Sequence, residues 1–362
     1  MKKQKIIKII KYFGISILTL FIIFLLVVNI TPNFISKIVR IEFDKSISTK
    51  PKDYDMYKEK VNKISNLTYP SKYKDNNFDL YLPKEGSNHS IIIWIHGGSF
   101  VGGDKSDVEE YATLLASSGY AVLSFNYERA PELKYPNQLH QLEEIYIHTV
   151  NIKDLYSLNI NELYLAGDSA GAHLVSQFTL IQTSKEYRDI MNFNQTVEEN
   201  GIKGLLLYCG PYNVKKLNNI KNNLTSFFIS QTSWAYFGTR NWEEKYGEIA
   251  TIKNHITENF PKTFITDGNT NSFEDHAKEL AQELENKEVE VTTYFIPKET
   301  ITNHEYQFKL DTEHGFESYK ETIKFLKNNK GEEYMEEKIC QSCSMPLLNI
   351  KEYGTNEDNS KS

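Results

Sequence analysis

The sequence predicts an α/β protein, a mostly parallel sheet with helices on both faces, preceded by an N-terminal transmembrane helix. Three observations support this fold class. Apolar runs of strand type alternate with helix-compatible stretches from about residue 74 to residue 330, and such alternation is typical of parallel sheets. Two glycine-rich segments, 96–100 and 167–171, each follow a buried apolar run directly. A long uncharged apolar run lies near the N-terminus, as expected of a membrane-spanning helix.

Residues 1–31 have the composition of a membrane anchor. An uncharged run from Tyr12 to Thr31 is rich in Ile, Leu, Phe and Val, and at about 1.5 Å per residue it is long enough to cross a bilayer. Five lysines precede it: Lys2, Lys3, Lys5, Lys8 and Lys11. The positive-inside rule therefore predicts a single-pass protein of the cell membrane with the rest of the chain outside. A cleavable signal peptide is the alternative, but the run exceeds a usual h-region and residues 27–33 lack a small-x-small cleavage pattern.

Residues 32–73 are polar and aromatic, and we expect no clear strands there. The stretch 53–58 fits either a helical stalk or part of a lid. From 74 to 330 the pattern predicts one domain with helices at about 108–117 and 316–326. Its strands are predicted at 78–82, 91–95, 121–125, 163–166, 204–208, 263–266 and 291–295. Sites in such sheets lie at the carboxyl ends of the strands.

The segment Gly167-Asp168-Ser169-Ala170-Gly171 stands between a buried apolar run and a helix-compatible stretch. A serine hydroxyl is a weak nucleophile, so it must project from a tight turn where a base can reach it. Glycines on both sides allow that turn without a side-chain clash. The segment therefore predicts Ser169 as a nucleophile on a strand-to-helix elbow. A plain glycine-rich turn is the alternative.

A second glycine-rich segment makes that alternative less probable. Ile91 to Ile95 reads as a buried strand that runs straight into His96-Gly97-Gly98-Ser99-Phe100. Glycines at this position can turn backbone N–H groups towards a developing oxyanion. The two motifs occur in the order that acyl-transfer sites of this kind require.

These motifs, together with the segment 126–132 (Asn-Tyr-Glu-Arg-Ala-Pro-Glu) and Tyr135-Pro136 behind it, resemble the hormone-sensitive-lipase branch of the α/β-hydrolase carboxylesterases. The resemblance runs from about residue 74 to residue 330. It implies an α/β-hydrolase fold, with Gly97, Gly98 and the N–H of Ala170 as oxyanion donors.

Two histidines compete for the role of catalytic base. His314 superficially matches the family's C-terminal motif, but Asp311-Thr312-Glu313 looks like a helix N-cap, which places His314 in the first turn of the last helix. His304 lies in the loop before that helix. We favour His304 because the base must come from this loop, in the chain order serine, acid, histidine, and because its separation from the end of the last helix at 325–326 is closer to what the family shows.

The acid is where the chain departs from the family. By motif alignment the catalytic aspartate falls on Asn271, and an amide cannot stabilise an imidazolium as a carboxylate does. Asp267, at the tip of the preceding strand, is our first candidate. Glu274 and Asp275 are alternatives, because a shift of register in the loop would exchange them. A turn-forming Asp-Gly pair is the structural alternative for Asp267.

The cysteines divide into two kinds. Cys209 ends a strand and is expected to be a buried packing residue. Cys340 and Cys343, in the tail 331–362, resemble the first half of a zinc-ribbon module, and two thiolates supply half of a tetrahedral zinc site. A truncated relic, a local disulfide or redox pair, and zinc shared between two chains remain alternatives.

The charge pattern excludes some functions. With 41 basic and 48 acidic residues the formal net charge is −7, and the only basic cluster is at the N-terminus, so nucleic acid is not an expected partner. Residues 304–305 lack the second histidine of a metalloprotease helix, and residues 97–103 do not form a G-x-G-x-x-G unit. We expect no cofactor and no metal in the main domain.

The leading hypothesis is a membrane-anchored serine carboxylesterase that cleaves small or surface-linked acyl esters through an acyl-enzyme. Ser169 attacks, His304 takes and returns the proton, and Asp267 orients His304. An aminopeptidase or acyl-peptide hydrolase on the same fold is one alternative, although nothing encodes a propeller domain. A non-catalytic binding protein is the other, motivated by Asn271. The sequence predicts no oligomeric state.

Overall fold

Eight strands form one sheet in the computed structural model, which describes residues 2–45, 47–219 and 223–331. The strands are β1 (Val61–Thr68), β2 (Asn77–Pro83), β3 (His89–Ile95), β4 (Ala121–Phe125), β5 (Leu158–Asp168), β6 (Ile202–Tyr208), β7 (Thr263–Asp267) and β8 (Val291–Phe295). All seven predicted strands are present. The segments of the tail that carry Cys340 and Cys343 lie outside the described residues.

The strand order is β1-β2-β4-β3-β5-β6-β7-β8. β1 pairs antiparallel with β2, and β2 pairs antiparallel with β4. The six strands β3 to β8 are all parallel to one another. In the centre, Ile93 of β3 is in register with Leu123 of β4 and Leu165 of β5. The predicted mostly parallel sheet is therefore confirmed.

Helices cover both faces of the sheet. They are α1 (Lys2–Ile30), α2 (Asn33–Phe43), α3 (Tyr54–Lys58), α4 (Glu109–Ser117), α5 (Asn137–Ile152), α6 (Ala170–Thr183), α7 (Lys185–Met191), α8 (Asn223–Phe237), α9 (Trp242–Tyr246), α10 (Glu274–Asn286) and α11 (Glu313–Asn329). Short 3₁₀ helices occupy Lys105–Val108, Val214–Asn219, Ile252–His255 and Tyr306–Phe308.

β3 shows why the central strands read as continuous apolar runs. Ile91, Ile93 and Ile95 pack into the cluster on one face, and Ile92 and Trp94 pack into the cluster on the other. Side chains alternate along a strand, so a strand covered by helices on both faces must be apolar at every position. This burial fixes the carboxyl ends of β3 and β5, where the two glycine-rich motifs begin.

The segment 32–73 differs from expectation, because it contains an edge strand and two helices. β1 pairs with β2 over Val61 to Thr68, so the expectation of no strand is wrong, and the sheet extends beyond the boundary predicted at residue 74. The short helix α3 packs against α4, where the Tyr54 hydroxyl donates to Thr113 Oγ1 at 3.2 Å. It is therefore neither a free stalk nor a lid.

α2 and α8 form a cap beside the carboxyl ends of the strands. Ile35 and Val39 of α2 are buried, and α2 packs along α8. Arg40 of α2 donates to the carbonyl oxygen of Ala130 at 2.7 Å and to that of Val101, and it pairs with Glu132 at 2.5 Å. The cap is thus joined to the loop that follows β3.

Candidate active site

Ser169 stands at the turn between β5 and α6 with φ +48° and ψ −117°. Its backbone N–H donates to the carbonyl oxygen of Tyr208 at 2.8 Å. A Cβ on Gly171 would collide with the carbonyl oxygen of Ile95, and a Cβ on Gly167 would press against the backbone of Gly171. The flanking glycines are therefore needed for close backbone approach, and the turn holds Ser169 in the strained conformation of a nucleophile elbow.

His304 contacts Ser169. Its Nε2 lies 2.9 Å from Ser169 Oγ, and its ring packs edge-on against Phe273 at 5.4 Å between centroids. Burial lowers the pKa of His304 to about 4, since desolvation disfavours the charged imidazolium. At neutral pH the imidazole is therefore neutral and able to accept the Ser169 proton.

The structure does not bring His314 to this site. His314 lies in the first turn of α11, whose N-cap residue Thr312 accepts a hydrogen bond from Gly315 N–H at 3.2 Å. The predicted helix start is confirmed. Of the two histidines, His304 contacts Ser169.

Asp267 is the last residue of β7 and is fully buried. Its Oδ1 accepts a hydrogen bond from the Ser272 hydroxyl, and Ser272 Oγ lies 2.8 Å from His304 Nδ1. The carboxylate therefore reaches the imidazole through a serine hydroxyl instead of by direct contact. Burial raises the pKa of Asp267 to about 7.

The other acid candidates lie elsewhere. Asn271 has φ +50° and an exposed side chain whose amide donates to Asn303 Oδ1 at 3.4 Å. Glu274 pairs with Lys278 at 2.8 Å, and Asp275 is exposed in the first turn of α10. The loop register thus turns residue 272, and not residue 271, towards His304.

Glu305 follows His304 in the chain and is also close, with Oε1 at 3.8 Å from His304 Nε2. That nitrogen already faces Ser169, so Glu305 is on the wrong side of the ring to act as the orienting acid. Burial and the neighbouring Asp168 carboxylate raise the pKa of Glu305 well above its usual range. Of the two carboxyl groups, Asp168 is the one that is ionised, because its oxygens accept hydrogen bonds from Trp94 Nε1 and Gly97 N–H, each at 2.8 Å.

The hydrogen bond from Gly97 N–H to Asp168 changes which residues we expect to be oxyanion donors. Because Gly97 N–H is directed at Asp168 Oδ2, the role predicted for Gly97 does not agree with this geometry. Gly98, with φ +98°, and Ser99, with φ +53°, turn away from β3. Among the described residues, their N–H groups donate to no protein acceptor. Ala170 is the first residue of α6, and an N–H in the first turn of a helix has no intrahelical acceptor.

Cys209 is buried, as expected, but it also borders the site. Its sulfur, a carboxylate oxygen of Asp267 and a ring nitrogen of His304 lie within 4.8 Å of one another, the only such group that could hold a metal in the described part of the chain. Burial raises the pKa of the Cys209 thiol well above its usual value. A protonated thiol is a poor metal ligand, and His304 is already bonded to Ser169.

Two cavities lie at the candidate site, and Ser169 lines the smaller of them. A small one of about 40 Å³ is lined by Ser99, Phe100, Ala170, Ile229 and Phe273, among others. A larger one of about 230 Å³ is lined by His304 and Glu305 together with Phe43 of α2, Gly98 and Phe308, among others. Ser169 therefore lines the narrow pocket, and its partner His304 lines the wider one, which opens beside the cap.

Three features of the site's geometry were not predicted from the sequence: the contacts of Ser272, Asp168 as the acceptor of Gly97 N–H, and the orientation of Ser99. No sequence motif marks Ser272, because its role depends on the packing of two loops. For Asp168, the available signal was its place between Gly167 and Ser169, at the end of a strand beside the one that carries Trp94.

Comparisons with known proteins agree with this architecture. The model of the BD-FAE family matches residues 78–284. The acetyl esterase of Salmonella schwarzengrund (strain CVM19633) is 25% identical over 224 residues, which cover 60% of this chain and 65% of that protein. The acetyl esterase of Salmonella typhi is 26% identical over 221 residues, covering 59% and 64%. The chain thus spans slightly less than two thirds of these relatives.

Solved esterases share the fold. Esterase B from Lactobacillus rhamnosis superposes with a TM-score of 0.66 at 19% identity, covering 78% of this chain and 88% of that one. EstE1, a thermophilic carboxylesterase from a metagenomic library, superposes with a TM-score of 0.62 at 14% identity, covering 83% and 98%. At such identities the likeness establishes the fold alone, and the predicted α/β-hydrolase fold is confirmed.

Proposed function

Since this chain belongs to the BD-FAE family, we propose that it is a serine carboxylesterase that cleaves esters of short acyl chains through an acyl-enzyme. The observation that carries the proposal is the 2.9 Å contact between His304 Nε2 and Ser169 Oγ at a strained elbow. The acetyl esterase relatives support the same activity. Membership of the hormone-sensitive-lipase branch stays a prediction from the motifs.

The chemistry follows from the positions of the groups. Ser169 Oγ attacks the ester carbonyl while its proton passes to His304 Nε2. The N–H groups of Gly98, Ser99 and Ala170 stabilise the oxyanion of the tetrahedral intermediate. Collapse of the intermediate breaks the ester bond, and the Nε2 proton leaves with the alcohol. Water then attacks the acyl-enzyme by the same route and releases the acid.

Pocket size gives the acyl preference. One water needs roughly 10–15 Å³ of such space, so the cavity of about 40 Å³ beside Ser169 holds a group of only a few heavy atoms. Acetyl to butyryl chains fit this pocket, and the alcohol portion of the ester fits the cavity of about 230 Å³ beside Phe43 and Phe308.

We also propose that the protein is anchored in the cell membrane by α1. One helix in the described part of the chain, Gln4–Ile30, is long and apolar enough to cross a bilayer, and a signal sequence would share these features. Its C-terminal end is docked on the cap, because Gln231 Nε2 donates to the Val28 carbonyl oxygen at 3.3 Å and Arg240 donates to Asn29 Oδ1 at 2.9 Å. A helix fixed to the folded domain in this way supports an uncleaved anchor.

The outer face of α2 supports the same arrangement. Phe34, Ile38 and Ile41 recur at helical spacing and are exposed, whereas Ile35 and Val39 on the inner face are buried. A helix with one apolar and one protein-facing side, placed directly after a membrane span, suits the surface of a bilayer. The catalytic domain would then lie against the outer surface of the membrane. This agrees with the positive-inside rule, which places the lysines of residues 1–11 in the cytoplasm.

The test is ester hydrolysis by the full chain purified in detergent. We expect p-nitrophenyl acetate and butyrate to be cleaved with kcat/KM at least about tenfold above that for the octanoate, since the acyl pocket is small. Ser169→Ala, which removes only a hydroxyl, should reduce hydrolysis to background. Equal activity of the variant, or cleavage confined to amide substrates, would contradict the proposal.

A further inference from the structure

We propose that Ser272 is a positioning residue that links Asp267 to His304, so that the site works as a four-membered Ser169–His304–Ser272–Asp267 chain. The proposal rests on the proposed function and names a residue that the motifs do not mark. Its basis is geometric, because Ser272 Oγ is hydrogen-bonded to Asp267 Oδ1 on one side and lies 2.8 Å from His304 Nδ1 on the other.

The protons in this chain can take one consistent arrangement. Ser272 has one hydroxyl proton, and Asp267 as a carboxylate can only accept, so Ser272 donates to Asp267. Ser272 Oγ then accepts from His304 Nδ1–H, which leaves the Nε2 lone pair facing the Ser169 hydroxyl. The network thereby selects the imidazole tautomer that general-base catalysis needs.

No net proton transfer along the chain is required. When Ser169 attacks, its proton moves to His304 Nε2 and the imidazole becomes positively charged. Nδ1–H keeps its proton and its bond to Ser272 Oγ. The Asp267 carboxylate polarises the Ser272 hydroxyl, so the oxygen becomes a better acceptor for the imidazolium.

The packing of two loops holds Ser272 in place. Thr270 N–H donates to the Thr302 carbonyl oxygen at 3.0 Å, and the Asn269 side-chain amide donates to the Thr300 carbonyl oxygen at 2.7 Å. A Cβ on Gly268 would collide with the carbonyl oxygen of Asn303, so the loop after β7 lies directly on the loop that carries His304. The positive φ at Asn271 then turns the next residue inwards.

A double-mutant cycle tests the chain as a unit. We expect Ser272→Ala to lower kcat about 100-fold with KM changed less than about threefold, because the lost contact matters chiefly as the imidazolium forms. Ser272→Thr keeps a hydroxyl and should retain most activity. Asp267→Asn combined with Ser272→Ala should be little worse than the poorer single variant, since both break the same chain. A kcat of the double variant equal to the product of the two single losses, or a fully active Ser272→Ala, would overturn the proposal.

A transplanted carboxylate gives a sharper test. In an Asp267→Asn background, Ser272→Asp places a carboxylate directly against His304 Nδ1 and should recover at least about tenfold in kcat. Asn271→Asp in the same background is the matched control, because residue 271 is exposed and faces Asn303. Rescue by Asn271→Asp and not by Ser272→Asp would show that the loop has the other register.

One readout does not depend on esterase activity. The His304 Nδ1 proton, identified as the low-field NMR resonance missing from His304→Ala, should shift or vanish in Ser272→Ala and should persist in Asn271→Asp. An unchanged resonance in Ser272→Ala contradicts the proposed chain even if the protein hydrolyses esters. A shifted resonance in a protein without hydrolysis would support the hydrogen-bond chain while contradicting the proposed function.

Discussion

Asp267 and His304 set the expected pH dependence of hydrolysis. Burial raises the pKa of Asp267 to about 7 and lowers the pKa of His304 to about 4. Burial raises the pKa values of the neighbouring Cys209, Tyr212 and Glu305 well above their usual ranges. We predict that kcat rises with pH around 7 as Asp267 ionises, and that in Asp267→Asn a lower plateau begins near pH 4. A pH–rate profile from pH 4 to 9 decides this, and identical midpoints in both proteins would contradict it.

The same carboxyl group has a predicted effect on stability. Because the pKa of Asp267 in the folded protein is raised from 3.8 to about 7, its contribution to stability is fully present below about pH 4 and is lost as pH rises through 7. Asp267→Asn should therefore raise the melting temperature at pH 8 and change it little at pH 4.5. Thermal unfolding at the two pH values measures this. A variant less stable at pH 8 would show that the buried carboxylate stabilises the fold.

At the residue scale, the sequence predicted those site residues that belong to a short local motif. Ser169 follows from its glycines, and the structure places His304 against it, as expected from its loop. Ser272 could not be found in this way, since its role arises from contact between residues 32 positions apart. The oxyanion role predicted for Gly97 disagrees with the structure for a similar reason, because Asp168, the acceptor of its N–H, lies on another strand.

At the element scale, prediction was best where burial controls the pattern. The strands β4 and β8 have the predicted bounds, and β3 and β6 begin two residues earlier than predicted. β1 was missed because an edge strand with one solvated side mixes polar and apolar residues. α2 was missed because its buried face is short and its partner α8 is distant in sequence.

The attachment of α2 makes a prediction at this scale. Arg40→Ala removes the donors to two carbonyl oxygens in the loops after β3 and β4. We expect the free energy of unfolding to fall by about 1–3 kcal/mol, seen as a melting temperature lower by about 2–12 °C. Turnover should fall about three- to tenfold, because Val101 is close to the proposed oxyanion donor Ser99. Lys37→Ala, on the exposed side of the same helix, is the matched control and should alter neither value. Equal effects of both substitutions would contradict the specific role of Arg40.

For the whole molecule, the central issue is the relation between the anchor and the catalytic domain. If α1 spans the membrane with its lysines inside, protease added to intact cells should cut within residues 32–73, beyond the docked end of α1, and release an active fragment. Immunoblotting and esterase assay of the supernatant measure the release. A chain that stays protected would contradict this topology, and a mature N-terminus near Thr31 without protease would indicate a cleaved signal peptide.

The central claim is that Ser169 is an activated nucleophile. A fluorophosphonate probe tests it most directly, because the probe reacts with an activated serine whatever the substrate. We predict one probe adduct per chain by intact mass, mapped to the peptide that contains Ser169, with no labelling of Ser169→Ala and much slower labelling of His304→Ala. Labelling of Ser169→Ala at the wild-type rate, or an adduct on another residue, would contradict the account.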